Sequence, residues 1–326
     1  MCIRDSSKYF KDWKIQILDQ NSEVIEEINY NIAGKKVYIS LDSKALGDNL
    51  AWFPYVEEFR KKHNCKVVCS TFWNNLFAEQ YPEIELVAPG SSITGLYAMY
   101  KIGWYNNNEV FDSAMNPRDF KLGPLQRTAA DILGLDYTEI KPLIKTYDRS
   151  TVTKKVGLGI HGTAQAKYWN NKGGWEKVIE YLKSKDFEVI CIDKHKVFGN
   201  GRDCVNNMPS NALDYTGDIP LVDRMNQIHH SEFFIGLPSG LSWLAWAVKK
   251  PVVLISGFSY PYAEFETPYR VQNHSVCTGC WNDSLFDKGN WKWCPKSDKK
   301  EEFECTKEIT PKMVIDVIDQ LLIEQK

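Results

Sequence analysis

The stretch KKVYISLDSKALGDNLAWFPYVEEFRKKHNCKVVCS, Lys35–Ser70, decides the fold. Lys35–Asp42 is a short apolar run with β-branched and aromatic side chains and reads as a strand. Asn49–His63 is long and apolar-rich enough for a helix, and Cys65–Ser70 reads as a second strand. A strand, loop, helix and strand at this interval are the repeating unit of a parallel sheet covered by helices. The pattern continues outward with a helix near Phe72–Tyr81, a strand at Ile84–Ala88 and a helix at Pro124–Leu135 that ends near Gly134. After the polar stretch Lys145–Lys155 the alternation restarts. Strands at Val156–His161, Phe187–Asp193, Glu232–Leu237 and Pro251–Gly257 interleave with helices at Trp175–Lys185, Leu221–His230 and Ser239–Lys250. The predicted class is α/β, with two Rossmann-like halves at residues 36–150 and 151–270 facing a cleft. Open sheets of this kind bind ligands beyond the carboxyl ends of their strands, so the loops there are where chemistry is expected. Ahead of them, residues 1–35 suggest two short strands, Trp13–Asp19 and Val24–Asn31, joined by a polar turn at Gln20–Ser22. Residues 271–326 hold a cysteine cluster and a last helix from about Thr310 to Glu324.

With 326 residues, 43% of them hydrophobic, the chain can bury two domains of ordinary size. A formal charge of −2 offers no broad basic field for nucleic acid or an anionic membrane. The N-terminus lacks the apolar core and small-residue cleavage site of a signal peptide. The longest apolar stretch, Phe233–Phe258, is broken by Pro238, Ser239 and Lys249–Pro251, so no membrane span is expected and the reading is cytoplasmic.

Three loops could carry chemistry. In SKALGD, Gly47 allows the backbone to turn sharply, and Asp48 stands where the next helix begins, as its cap or as a general base aimed into the cleft. In GTAQAKYWNNKGG, Lys167 lies among small and hydroxyl-bearing residues such as Thr163 and could set a point charge against a phosphate. Lys172 is a competitor, while Trp169 and Trp175 suggest local packing. In LPSGLSW, the backbone N–H groups of Ser239, Gly240 and Leu241 open a helix, an arrangement that suits a diphosphate. No G-x-G-x-x-G or P-loop pattern offers a rival nucleotide site. Glu264, Glu266 and Arg270 follow the last strand, as surface ion pairs or as substrate contacts. His161, His229 and His230 belong to no nucleophile pattern and read as packing residues.

Cys277, Cys280, Cys294 and Cys305 stand apart from the scattered cysteines, of which Cys65, Cys69 and Cys191 read as core. In a reducing compartment, such clustering favours a metal over disulfides. Four thiolates make a tetrahedral all-sulfur site with no open position, hence a structural one, and sulfur ligands alone do not separate zinc from iron.

Together, DSKALGDNLAWFPYVEEFRKKHNCKVVCSTFWN, PLQRTAADILGL, GLPSGLSWLAWA, SGFSYPYAEFETPYRVQN and the four-cysteine segment resemble the autotransporter strand-loop-strand O-heptosyltransferases, a bacterial family that glycosylates adhesins. The resemblance implies a GT-B fold that moves heptose from ADP-heptose to serine hydroxyls of an autotransporter adhesin passenger domain, with inversion. It implies Asp48 as the base of the LGD motif and Lys167 as the phosphate-binding lysine of the AKYW motif. Gly47, Thr163, Ser239, Gly240, Leu241 and Arg270 are expected around the donor. It further implies one structural iron ion per chain on Cys277, Cys280, Cys294 and Cys305, assembly into a homo-oligomeric ring reported as a dodecamer, and an N-terminal β segment shorter here than in the family. Two alternatives are a lipopolysaccharide core heptosyltransferase, which shares the aspartate and lysine logic, and a noncatalytic metal-stapled scaffold.

Overall fold

The computed structural model describes residues 8–107, 110–146, 154–201, 204–297 and 301–325; the opening MCIRDS and the domain boundary expected at residues 150 and 151 lie outside the described residues. The chain divides into two compact units, residues 1–44 with 51–143, and residues 45–50 with 144–326. The short piece Ala45–Leu50 therefore groups with the second unit.

In the first unit, β1 (Lys14–Leu18) and β2 (Val24–Asn29) form an antiparallel hairpin. Its turn is held by Asp19, whose carboxylate accepts the N–H groups of Asn21 and Glu23 at 2.8 Å each. Every residue of both strands is exposed. Then come β3 (Lys36–Leu41), α1 (Leu46–His63), β4 (Lys66–Ser70), α2 (Asn74–Phe77), β5 (Ile84–Val87) and β6 (Ala98–Ile102). The strands β3 to β6 pair in parallel in the order β5-β4-β3-β6. The helix expected near Phe72–Tyr81 is a single turn, and β6 was not among the strands that the sequence pattern picks out. β7 (Asn106–Asn107) pairs with β8 (Val110–Phe111), and α3 (Leu125–Leu133) follows. Gly134 ends α3 in the left-handed conformation, φ 64°, which a side chain at a C-cap resists.

The second unit contains β9 (Lys155–Gly159), α4 (Gly174–Ser184), β10 (Glu188–Cys191), β11 (Val197–Gly199), β12 (Val205–Asn207), β13 (Leu213–Asp214) and α5 (Leu221–His229). It continues with β14 (Phe233–Gly236), α6 (Gly240–Ala247), β15 (Val252–Ile255), β16 (Arg270–Val271), α7 (Glu304–Lys307) and α8 (Pro311–Glu324). Six of these strands form one parallel sheet, β13-β10-β9-β14-β15-β16, while β11 and β12 make a small hairpin. β14 and β15 are buried at every position, which a strand covered on both faces requires. Val178, Ile179 and Leu182 of α4 share a core with Val314, Ile318 and Leu321 of α8 and with the strand residues Val156, Leu158 and Ile235. The last helix starts where the sequence suggests: Thr310 accepts the Met313 N–H, and Pro311 occupies a first-turn position where a missing N–H costs nothing.

Candidate active site

Leu46 rather than Asn49 begins α1, so Gly47 and Asp48 lie in the first turn of the helix instead of in a loop before it. Asp48 there meets the positive end of the helix dipole. Gly47 is not a sharp turn: it has no positive φ. Glycine is required by a neighbour, because an added Cβ would stand 2.9 Å from Cδ1 and 3.3 Å from Cγ of the Trp243 ring. Gly240 is close-packed in the same place, where its Cβ would meet that of Leu46 at 3.2 Å. The N-termini of α1 and α6 thus abut, and a helix N-terminus favours negative charge. Within α6, Ser239 spends its own N–H on the Leu237 carbonyl at 2.7 Å, which leaves Gly240 and Leu241 as the outward donors of the predicted three.

Lys167 ends a single 3-10 turn, Gln165–Lys167, beyond the end of β9. Its Nζ donates to Thr163 Oγ1 at 3.3 Å and sits 5.5 Å from the centre of the Phe258 ring. Burial pulls its pKa below the ordinary lysine value, while the charges of Asp48 and Glu264 pull the other way. The charge of Asp48 thus acts on Lys167. Lys172 is exposed. Trp169 and Trp175 are buried edge-to-face at 5.1 Å, in keeping with the packing expected of them.

Arg270 enters this site through a carboxylate. Its Nη1 donates to Glu264, and its Nη2 donates to the carbonyls of Pro261 at 3.2 Å and Phe265 at 3.1 Å. The second oxygen of Glu264 accepts from Ser259. Sequence reasoning found the Glu264 and Arg270 loop but not this arrangement, nor the part played by Trp243 or Phe258. His161 is buried between Tyr168 and Phe198, with burial lowering its pKa, and His230 bonds the Asn226 carbonyl; neither belongs to a nucleophile.

The cysteine segment packs directly on the lysine loop. Ala166 shares a buried cluster with Phe258, Cys280 and Phe303, and Trp281, Phe286, Trp293 and Cys294 pack against it. The Gln165 N–H donates to the Trp291 carbonyl at 3.0 Å, and the Trp291 indole donates back to Gln165 Oε1 at 3.2 Å. Asn170 reaches Thr306 at 2.8 Å, and Asn171 reaches the Lys307 carbonyl at 2.7 Å. The four cysteines carry no disulfide. Cys305 is hydrogen-bonded to Cys280, which raises the pKa of the first and lowers that of the second. Cys294 Sγ accepts the Phe303 N–H at 3.4 Å, and Cys277 lies beside Glu304. Among the described residues, no three His, Cys, Asp or Glu side chains are grouped as a metal site. No described helix is long and apolar enough to cross a membrane.

A lysine and two helix N-termini gathered beyond strand ends suit a donor that carries phosphate, and residues 128–292 match the family described as glycosyltransferase family 9 (heptosyltransferase). The fold is that of a glycosyltransferase. Over 327 residues, 98% of this chain and 80% of the relative, it is 41% identical to the autotransporter heptosyltransferase TibC of Escherichia coli. The crystal structure of TibC from enterotoxigenic E. coli, described as iron-containing and dodecameric, superposes with a TM-score of 0.91 at 40% identity, covering 98% of this chain and 85% of that one. BimC of Burkholderia thailandensis, named an inactive autotransporter heptosyltransferase, is 32% identical over 96% of this chain and 74% of its own. The E. coli lipopolysaccharide heptosyltransferase II shares the fold, with a TM-score of 0.58 at 13% identity over 89% of this chain and 99% of that one. The chain belongs to the autotransporter heptosyltransferases.

Proposed function

We propose that this chain transfers heptose from ADP-heptose to serine hydroxyls of an autotransporter adhesin by direct displacement with inversion. The observation that carries the reading is the pair of abutting helix N-termini, with Asp48 in the first turn of one and its charge acting on Lys167, in a chain 41% identical to TibC, a structure of which holds ADP-heptose. In this reading Asp48 takes the proton of the acceptor hydroxyl as positive charge builds on the sugar ring. Lys167, Thr163 and the N–H groups of Gly240 and Leu241 stabilise the negative charge that gathers on the departing ADP. Arg270 and Gly47 act at one remove, the first by holding Glu264 and the second by admitting the Trp243 ring.

The sulfur set of Cys277, Cys280, Cys294 and Cys305 suits a structural iron, which would cross-link the segment and supply no open position for substrate. The N–H directed at Cys294 Sγ fits that role. Assembly into a ring, as in TibC, and a cytoplasmic setting where thiols stay reduced go with this reading. The relative named inactive keeps a noncatalytic scaffold as the competing reading. Intact-mass detection of heptose added to a serine-rich adhesin fragment separates them. Wild type should add one heptose per modified site, and Asp48→Asn should lower the rate by about 10²–10⁴-fold with ADP binding retained. A folded, metal-loaded wild type that neither transfers nor hydrolyses ADP-heptose would sink the enzymatic reading.

A further inference from the structure

Gln165 is a polar side chain of the lysine loop for which the proposed reaction has no chemical use. It opens the 3-10 turn Gln165–Lys167, so it shares that turn with the lysine. Its amide is fully engaged inside the fold. Oε1 accepts from the Trp291 indole at 3.2 Å and from Asn206 Nδ2 at 3.0 Å, while Nε2 donates to Asn206 Oδ1 at 3.1 Å and to Asn170 Oδ1 at 2.8 Å. An indole can only donate, which fixes the oxygen end of the amide, and these partners use both its lone pairs and both its N–H bonds. Nothing is left for a ligand.

The main chain of Gln165 is held as firmly. Its N–H donates to the Trp291 carbonyl at 3.0 Å, and its carbonyl accepts the Tyr168 N–H at 3.0 Å and Asn170 Nδ2 at 3.1 Å. Asn206 belongs to β12, and Asn170 reaches on to Thr306 of α7 at 2.8 Å, so one residue ties the turn to the β11–β12 hairpin, the cysteine segment and α7. The next residue, Ala166, is buried against Phe258, Cys280 and Phe303. The stem of Lys167 then lies close on its own loop: a Cβ added to Gly162 would stand 3.0 Å from that of Lys167, and Nζ donates to Thr163 Oγ1 at 3.3 Å. A lysine charge rides on a flexible stem, so it is preorganised only where the main chain that carries it is fixed. We infer that Gln165 is a positioning residue for Lys167: its amide clamps the turn between the β11–β12 hairpin and the cysteine segment and thereby sets where the ammonium meets the donor phosphates. This inference rests on the donor site proposed above.

The test is the dissociation constant of ADP, measured by calorimetry on the full chain in a double-mutant cycle with Lys167. Gln165→Ala should weaken ADP binding by roughly tenfold, the size of one hydrogen bond to a charged group. In a Lys167→Ala background, itself weakened, the same substitution should change the constant by less than about twofold, because Gln165 acts through the lysine. A general loosening of the fold would carry over undiminished. Asn171→Ala cuts a different tie to the cysteine segment, the bond to the Lys307 carbonyl at 2.7 Å, and should lower the melting temperature while the ADP constant stays within about twofold. A folded Gln165→Ala protein that binds ADP like wild type overturns the inference alone; so does a loss that is equally large without Lys167, or one matched by Asn171→Ala. If Gln165→Ala does not fold, Trp291→Phe decides, since it keeps a ring and removes the indole N–H from Oε1. A loss of about threefold that again depends on Lys167 is expected, and an unmoved constant overturns the inference. Wild type that binds no ADP, or ADP binding indifferent to Lys167→Ala, overturns the donor site itself, and the inference with it.

Discussion

Gly47→Ala tests how closely the start of α1 is set. The new methyl group would lie 2.9 Å from Trp243 Cδ1, and ordinary contact begins at 3.4 Å, so about 0.5 Å must be found. Trp243 cannot supply it easily, being 5% exposed and wedged edge-to-face against Trp246 at 5.3 Å and Phe265 at 5.0 Å. The helix start moves instead and carries Asp48 with it. Overpacking costs about 1–3 kcal/mol, and alanine's better helix propensity returns about 1 kcal/mol, so the net loss of stability should stay below roughly 2 kcal/mol. Activity should suffer more. A misplacement of about 1 Å can cost roughly 10²-fold in rate, so half of that predicts about tenfold in kcat. The assay is the initial rate of ADP release from ADP-heptose with the acceptor present, alongside the ADP dissociation constant, which should stay within about twofold because ADP does not need the base. Wild-type kcat in a folded variant would refute the packing argument. A dissociation constant that rises in step with the fall in rate would show that the donor site, and not the base, had moved.

Two further outcomes follow from burial and from sulfur chemistry. Burial holds His63 and His161 below the ordinary histidine pKa; the unfolded chain then binds protons that the folded chain does not, and stability is lost as pH falls below about 6.5. Urea midpoints should be lower at about pH 5.5 than at about pH 7.5, with a smaller drop in His161→Gln, and equal midpoints in wild type would contradict the assignment. Cys294→Ser removes one sulfur from the four while leaving an acceptor for the Phe303 N–H. If the proposed iron and ring hold for this chain, iron content should fall and ring assembly should be lost, by elemental analysis and light scattering, while a metal-free variant that keeps its assembly and melting temperature would refute the structural role.

Much of the fold was legible because parallel strands buried on both faces leave short apolar runs, as at Phe233–Gly236 and Val252–Ile255, and because the helix ends carry local signals such as Gly134 and Thr310. β6 escaped because Met99 and Lys101 face outward and dilute a five-residue strand. The start of α1 was placed too late because Ser43, Gly47 and Asp48 of SKALGD read as loop, while the helix is fixed there by packing against α6. Asp48 and Lys167 could be picked out from their place at strand ends and from the family resemblance. The reason for Gly47, and the union of Glu264 with Arg270 and Ser259, lie in three-dimensional neighbours that no local pattern records. The spacing of the four cysteines was visible, but their engagement with Phe303 and Glu304 was not.

The joint between the cysteine segment and the lysine loop has a consequence for how such a chain can diverge. Trp291 and Gln165 bond each other twice, Gln165 also exchanges amide bonds with Asn206, and Asn170 and Asn171 reach Thr306 and Lys307. A substitution on one side leaves a stranded donor or acceptor on the other. The two stretches must drift as a matched pair, and the cysteine segment cannot be exchanged as a cassette between homologues unless residues 165–171 travel with it.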